Sequence, residues 1–295
     1  MSEFRGDKMK HAGEIFREMR KARKLSQTTV SEGFSGKSTV SDFENMGHEI
    51  GYITFYQLIN RINVSLEEFQ YEMNDHKLGI FDDLLERVTN FYNSSDVNAL
   101  KKLLVIEEAR TKNKTCNHDL TCVMIKNMIG QLDSNIKLLK NEQKMIVDYL
   151  LKAERWGYYE LVLFGNTMPT FTKTSLITFS KEAISRSAVY QKIPTNKLLI
   201  IKILLNVLVV LIHYDEFNIA INLKKEIEKL IGEDDIFAKT VLIFVTGGLE
   251  LSMGDAESGK IKMKTAIDIF KAVGSLNLAN TYQQSYDKAV NELEK

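Results

Sequence analysis

The sequence predicts an all-α protein in two parts, a small head of short helices followed by a long succession of paired helices. Three observations predict it. Two prolines in 295 residues leave long helices uninterrupted. Apolar residues recur at helical spacing, and no stretch alternates as a strand would over any length. From Leu78 onward, small or helix-stopping positions punctuate the chain at helix-length intervals. The composition is globular, 44% hydrophobic and 26% charged, with ample material for a core. A formal net charge of +0 attracts no polyanion by itself, so any nucleic-acid role must rest on local charge.

The head is read over residues 1–72. GEIFREMRKARK, residues 13–24, is an amphipathic first helix with Ile15, Phe16, Met19 and Ala22 turned to a core. Its other face sets Arg17, Arg20, Lys21, Arg23 and Lys24 against Glu18 alone, a net +4. Ser26 caps a second helix from Gln27 to Phe34, with Val30 and Phe34 inward. Ser35-Gly36 makes the turn into a third helix, which opens at Lys37 or Ser38, buries Val40 and Phe43, and ends at Asn45-Met46-Gly47. Two further helices follow, one packed by Phe55, Leu58 and Ile59, the next by Leu66 and Phe69. Ser65 and Glu68 form a capping box at the start of the last.

Five short helices in this order resemble the phage-repressor type of helix-turn-helix domain, whose third helix enters the major groove by its N-terminal end. The expected partner is double-stranded operator DNA. Lys37, Ser38, Thr39 and Ser41 can then reach base edges or phosphate, and Asp42 can accept from a cytosine amino group. Asn45 follows on the same helix. Phosphate attraction falls to Arg17, Arg20, Arg23, Lys24 and Gln27. One copy makes few such contacts, so a homodimer is expected. The acidity of the segment beyond Lys37, with Asp42, Glu44 and Glu49 after that single lysine, opposes this reading and favours an interaction scaffold with a vestigial helix-turn-helix.

Residues 73–295 read as helices over about 78–93, 96–112, 117–131, 136–153, 155–164, 173–190, 195–213, 215–231, 235–252, 255–273 and 276–293. Ser95, Thr195 and Ser275 or Asn277 are the expected N-caps. Helix pairs repeating every 35–45 residues or so predict a tetratricopeptide-like α-solenoid, with an irregular helical bundle as the alternative. In the last pairs Ala256, Ala266 and Phe270, then Ala279, Tyr282 and Tyr286, occupy packing positions. The tetratricopeptide consensus is not met strictly. A solenoid's concave face is a natural binding surface.

The apolar run LLIIKILLNVLVVLI, residues 198–212, is about 15 residues long against the roughly 20 that span a bilayer. It also carries Lys202 and Asn206, so a buried helix is expected and no membrane partner. MSEFRGDKMK at the N-terminus has no apolar core region of a secretory signal. Two cysteines, Cys116 and Cys122, imply no disulfide scaffold and fit a reducing cytoplasm. Together with His118 they have metal-like spacing but lack a fourth ligand, and two thiols on a helix is the competing reading. No metal, cofactor or enzymatic constellation is expected.

Two landmarks carry a further resemblance. KSTVSDFENMG followed by NVSLEEF lies in the head, and YLLKAERWGYYELVLFGNT spans residues 149–167. Together they resemble the Rgg family of peptide-pheromone-responsive transcriptional regulators, over essentially the whole chain. The resemblance implies a cytoplasmic, homodimeric DNA-binding protein of Gram-positive bacteria. It also implies that the C-terminal repeats bind a short, imported, largely hydrophobic peptide. Some members carry a cysteine in the DNA-binding domain that links the dimer, whereas both cysteines here lie beyond it. The third helix of the family often has arginine where this chain has Asp42.

Independently of family, Lys202, Asn206, Val209 and His213 fall on one face of the apolar helix at spacings of four, three and four. Such a stripe either lines a wet groove that takes an extended peptide or pairs with a neighbouring helix. A second stripe runs through Phe179, Glu182, Arg186 and Tyr190, with Asn166 and Phe171 flanking the preceding break. The expected peptide-binding set is therefore Asn166, Phe171, Phe179, Arg186, Tyr190, Lys202, Asn206, Val209 and His213. An ordinary surface ion pair is the alternative for Glu182 and Arg186. Trp156 is expected to pack between repeats rather than meet ligand.

Overall fold

The structure is a computed structural model that describes residues 10–111 and 115–293. Every regular element among them is a helix. Most of the stretch read for a secretory signal, and the end of the helix expected to run to residue 112, lie outside the described residues. Contacts divide the chain into two compact units, residues 1–95 and 96–295. The helix after residue 78 therefore clusters with the head rather than with the repeats.

The head contains α1 (Ala12–Ala22), α2 (Gln27–Ser31), α3 (Lys37–Met46), α4 (Tyr52–Arg61), α5 (Leu66–Met73) and α6 (Ile80–Asn93). Its first five helices follow the predicted order. His11, unanticipated, caps α1 by accepting the Glu14 backbone N–H at 3.2 Å on Nδ1. Ser26 caps α2, and Ser65 with Glu68 forms the expected box on α5. The core gathers Ile15, Phe16, Val30, Val40, Phe43, Leu58, Ile59 and Phe69. Rings link it edge to face, Phe43 to Phe55 at 6.4 Å and Phe55 to Phe69 at 4.8 Å. Helices α1 and α3 cross at backbone contact. A Cβ on Gly13 would lie 1.7 Å from the Phe43 carbonyl oxygen, so only glycine fits there. Ala22 and Leu66 are exposed, not buried, because each falls at a helix end beyond the core's edge.

The second unit contains α7 (Val97–Glu108), α8 (His118–Leu132), α9 (Lys140–Lys152), α10 (Tyr158–Thr167), α11 (Lys173–Ser187), α12 (Pro194–His213), α13 (Phe217–Leu230), α14 (Ile236–Ser252), α15 (Ala256–Ala272) and α16 (Leu276–Leu293). Most helices pack on the next in sequence. In addition α8, α10, α12 and α14 pack successively on one another, forming one row of the stacked pairs. Two caps differ from expectation. Asp96 rather than Ser95 caps α7, accepting the Ala99 N–H at 2.9 Å. Pro194 opens α12 as its first residue, where a missing N–H does no harm, instead of standing before Thr195. Ala266, Phe270, Ala279 and Tyr286 are buried as expected, while Ala256 is exposed in the first turn of α15.

The segment from Tyr149 to Thr167 builds the corner between α9 and α10. The Glu160 carboxylate accepts the Tyr149 hydroxyl at 2.5 Å and the Gly157 N–H at 2.9 Å. Tyr149 in turn accepts from the Asn117 amide, and Tyr159 donates to the Asn117 carbonyl. Burial pushes the Tyr159 hydroxyl up to about 12, so it stays a neutral donor. Trp156 is fully buried against Phe164 at 5.5 Å and Phe179 at 6.1 Å, as a packing residue should be. Its indole N–H has no acceptor among the described residues.

Helix α12 runs for 20 residues, longer than the apolar run within it. Among the described residues it is the one helix long and apolar enough to cross a membrane. In this fold α10, α11, α13 and α14 pack against it, and Ile200, Leu204, Val207, Leu208 and Leu211 are buried.

Candidate functional site

Two surfaces collect the predicted site residues, one in each unit. In the head, Lys37, Ser38 and Thr39 are exposed at the start of α3. Gly36 precedes them without a side-chain cap, which leaves first-turn N–H groups free for an anion. Ser41 and Asp42 are half-buried one turn on, and Asn45 is exposed. The Asn45 amide donates to the Ser41 carbonyl at 2.9 Å and to its hydroxyl at 3.2 Å. Lys24 and Arg23 are exposed, the latter donating to the Met19 carbonyl, and Arg17 is half-buried.

Arg20 departs from expectation. Only 6% of it is exposed. Its Nε and Nη2 donate to the two Glu44 carboxylate oxygens at 2.6 Å each, and Nη1 reaches the Leu25 carbonyl at 2.5 Å. Arg20 is thus a brace between α1 and α3, withdrawn from any phosphate. Gln27 joins the brace, its amide 2.9 Å from Glu44 Oε2, while remaining half-buried at the surface. The same arrangement changes the charge of the third helix. Glu44 is 0% exposed and paired, so the acidity counted in the sequence is not all acidity of the surface.

In the second unit a cleft of about 470 Å³ opens between α12, α14 and α16. Asn206, Val209 and His213, three of the four residues of the α12 stripe, line it. All are exposed, and neither polar side chain has a hydrogen-bond partner among the described residues. Opposite stand Val241, Phe244, Gly248 and Leu251 of α14, and Tyr282, Ser285 and Glu292 of α16. Phe244 and Tyr282 meet edge to face at 4.7 Å. Burial raises the Tyr282 hydroxyl above its ordinary range. Lys202 lines a smaller adjoining depression of about 230 Å³ that shares Leu205 with the first. The arrangement is an apolar floor with polar groups along one rim and carboxylates of Asp215 and Glu292 at one end, within the size range of small-ligand sites.

The second stripe does not join this cleft. Phe179 and Phe171 are buried in the aromatic cluster with Trp156 and Phe164, their centroids 5.0 Å apart. Arg186 pairs with Glu182 at 2.5 Å and donates through Nη1 to the carbonyls of Leu150, Leu151 and Ala153. It therefore closes the C-terminal end of α9, whose last carbonyls have no partner within the helix. Asn166 is half-buried, its amide donating to the Val162 carbonyl while its own backbone carbonyl accepts from Asn127. Tyr190 is half-buried beside Gly157. None of these five lines the cleft, because their face of the repeat turns to neighbouring helices. The walls on α14 and α16 escaped the sequence reading. Adjacent Gly247 and Gly248 inside an apolar helix were the available signal.

His118 Nε2 lies 2.8 Å from the Glu107 carbonyl oxygen and 3.7 Å from the Cys122 sulfur, and Cys116 is exposed. Among the described residues no three His, Cys, Asp or Glu side chains converge in a way that could hold a metal ion.

Comparison with known proteins agrees with both units. Residues 100–284 match the family described as HTH-type transcriptional regulator Rgg, C-terminal domain, and residues 16–69 match a helix-turn-helix family. The SHP pheromone receptor Rgg2 of Streptococcus dysgalactiae is 29% identical, with a TM-score of 0.82 over 94% of this chain and 99% of that one. A putative transcriptional regulator from Listeria monocytogenes EGD-e is 23% identical, with a TM-score of 0.85 over 96% and 99%. ComR from S. thermophilus, solved in complex with DNA and its signalling peptide ComS, is 10% identical, with a TM-score of 0.62 over 94% and 99%. The last two likenesses speak for the fold alone.

Proposed function

The chain belongs to the Rgg family of HTH-type transcriptional regulators, and from that premise we propose that it is a cytoplasmic, homodimeric regulator that binds promoter DNA and answers to a short hydrophobic signalling peptide. The reading assigns residues 1–72 to DNA and residues 73–295 to peptide binding and dimerisation. It is carried by one observation: a stripe of unpaired polar groups on α12 borders an apolar cleft that no described side chain fills.

In the head, Lys37, Ser38, Thr39, Ser41, Asp42 and Asn45 form the base-reading edge, and Arg17, Arg23, Lys24 and Gln27 attract phosphate. Burial of Glu44 supports this, since it removes one of the carboxylates that favoured a scaffold with a vestigial reader. In the repeats, Asn206 offers a donor and an acceptor to a peptide bond, and Lys202 receives a terminal carboxylate. The rise of α12 puts Lys202 and His213 about 16 Å apart, the length of roughly five extended residues. A peptide that binds two states of the dimer unequally shifts the balance between them, which is how it would change transcription.

The test is a fluorescence-anisotropy titration of the full chain on labelled DNA from upstream of its own gene, at several salt concentrations. Synthetic peptides encoded by neighbouring small reading frames are then added. A saturable, salt-sensitive complex and a peptide-dependent change in DNA affinity or promoter activity are expected. Absence of DNA binding at low salt would leave the scaffold reading, and no effect of any peptide on binding or transcription would overturn the peptide-receptor reading.

A further inference from the structure

Helix α14 carries two consecutive glycines in its interior, Gly247 and Gly248. Apart from proline, glycine is the least favourable residue for such a place. Both have ordinary helical backbone, since neither is among the glycines with positive φ. Gly247 is explained by packing. A Cβ there would lie 2.6 Å from the Gly259 carbonyl oxygen and 2.9 Å from the Met263 nitrogen, so α14 and α15 touch backbone to backbone at this point.

Gly248 has no such reason. A Cβ built on it meets nothing within 4 Å. Neither backbone conformation nor a neighbouring helix demands glycine, and alanine would favour the helix. What the missing side chain leaves is space, and that space belongs to the cleft. Gly248 lines it one turn from Phe244 and Ser252, with Val209 of α12 and Tyr282 of α16 also on its walls. A residue that forgoes helix stability to keep a cavity open is the signature of a site, as stability and function commonly trade against each other.

We propose that Gly248 is the size-determining residue of the cleft, and that the space above it receives one bulky apolar side chain, branched aliphatic or aromatic, of the bound peptide. The inference rests on the peptide-receptor reading given above. Val209 and Phe244 flank the bound group, Tyr282 closes the far wall, and Asn206 on the rim holds the peptide backbone beside it.

The experiment immobilises the full-length protein and exposes it to a synthetic hexapeptide library built from Gly, Ala, Val, Leu, Phe and Trp. Retained peptides are sequenced by mass spectrometry. The wild type should enrich Leu, Phe or Trp at one position. Gly248→Leu should move that position towards Gly and Ala by about tenfold or more, the scale of hydrophobic-pocket discrimination, and leave the other positions unchanged. Circular dichroism checks that this variant is folded. Gly248→Ala supplies an independent reading, because it should raise the melting temperature while weakening selection for the largest side chains. A wild type that retains peptides with position preferences identical to those of Gly248→Leu overturns the inference and leaves the receptor reading intact. So does a lowered melting temperature in Gly248→Ala, which would mean that packing requires the glycine. A wild type that retains no peptide sinks the receptor reading, and this inference with it.

Discussion

Arg20 and Glu44 lock together inside the head through two parallel contacts of 2.6 Å, and in doing so they withdraw a cation and an anion from the surface at once. The pair joins the first helix to the third and is seconded by Gln27 and the Leu25 carbonyl. A residue in the basic run of α1 thus sets where α3 lies.

Breaking one side of this pair should be far worse than replacing both. Arg20→Ala or Glu44→Ala leaves an uncompensated buried charge, and each should cost about 3–5 kcal/mol of head stability. The double replacement Arg20→Met with Glu44→Leu should recover most of the loss. Urea denaturation followed by helical circular dichroism measures it, and additive losses in the double variant would contradict the coupling.

Lys37 offers the opposite case. It is exposed and has no side-chain bond among the described residues, so Lys37→Ala should leave stability within about 0.5 kcal/mol. If it meets phosphate in the complex, the plot of log affinity against log salt should become shallower by about 0.9. An unchanged slope with an altered base preference would move Lys37 from phosphate to base.

Arg186→Ala should destabilise the repeats without altering ligand selection. It removes a charged donor from the carbonyls at the end of α9, worth about 2 kcal/mol. Peptide affinity of the folded fraction, measured by calorimetry below the melting temperature, should stay at the wild-type value. A selective loss of peptide affinity at full stability would restore Arg186 to the binding set.

Two asparagines should separate cleanly. Asn127 is buried and donates to the Asn166 carbonyl at 2.8 Å, so Asn127→Ala should cost about 1–3 kcal/mol of stability. Asn206 has no partner among the described residues, so Asn206→Ala should leave the melting temperature unchanged and weaken peptide binding about tenfold. A fall in stability for Asn206→Ala would show that its amide serves the fold.

The helices were legible because their signals are local. All eleven segments expected after Leu78 exist, because most breaks are marked locally, although α10 runs on through Gly165 and Asn166 to Thr167, past its expected end at 164. The exposed opening of α3 at Lys37 was legible for the same reason. The fates of Arg20 and Arg186 were not. A cation in a basic run reads as solvated, and only the approach of Glu44, 24 positions along, shows otherwise. Four-residue spacing identifies a face of a helix but not what that face meets. It led to an exposed face of α12, where Asn206, Val209 and His213 line the cleft while Lys202 lines the adjoining depression, and it misled at Phe179 and Arg186, which point to neighbours. The far walls of the cleft come from α14 and α16, and their meeting with α12 is a property of the stacking rather than of any one segment.

Trp156 is the sole tryptophan of the chain, and it lies in the second unit, sealed among Phe164, Phe171 and Phe179. The molecule therefore carries its single indole label on one half, while the head holds only tyrosine and phenylalanine rings. Indole emission, blue while that cluster is intact, reports melting of the repeats alone, whereas far-ultraviolet ellipticity sums over both halves. Any gap between the two curves measures how independently the head comes apart from the repeats.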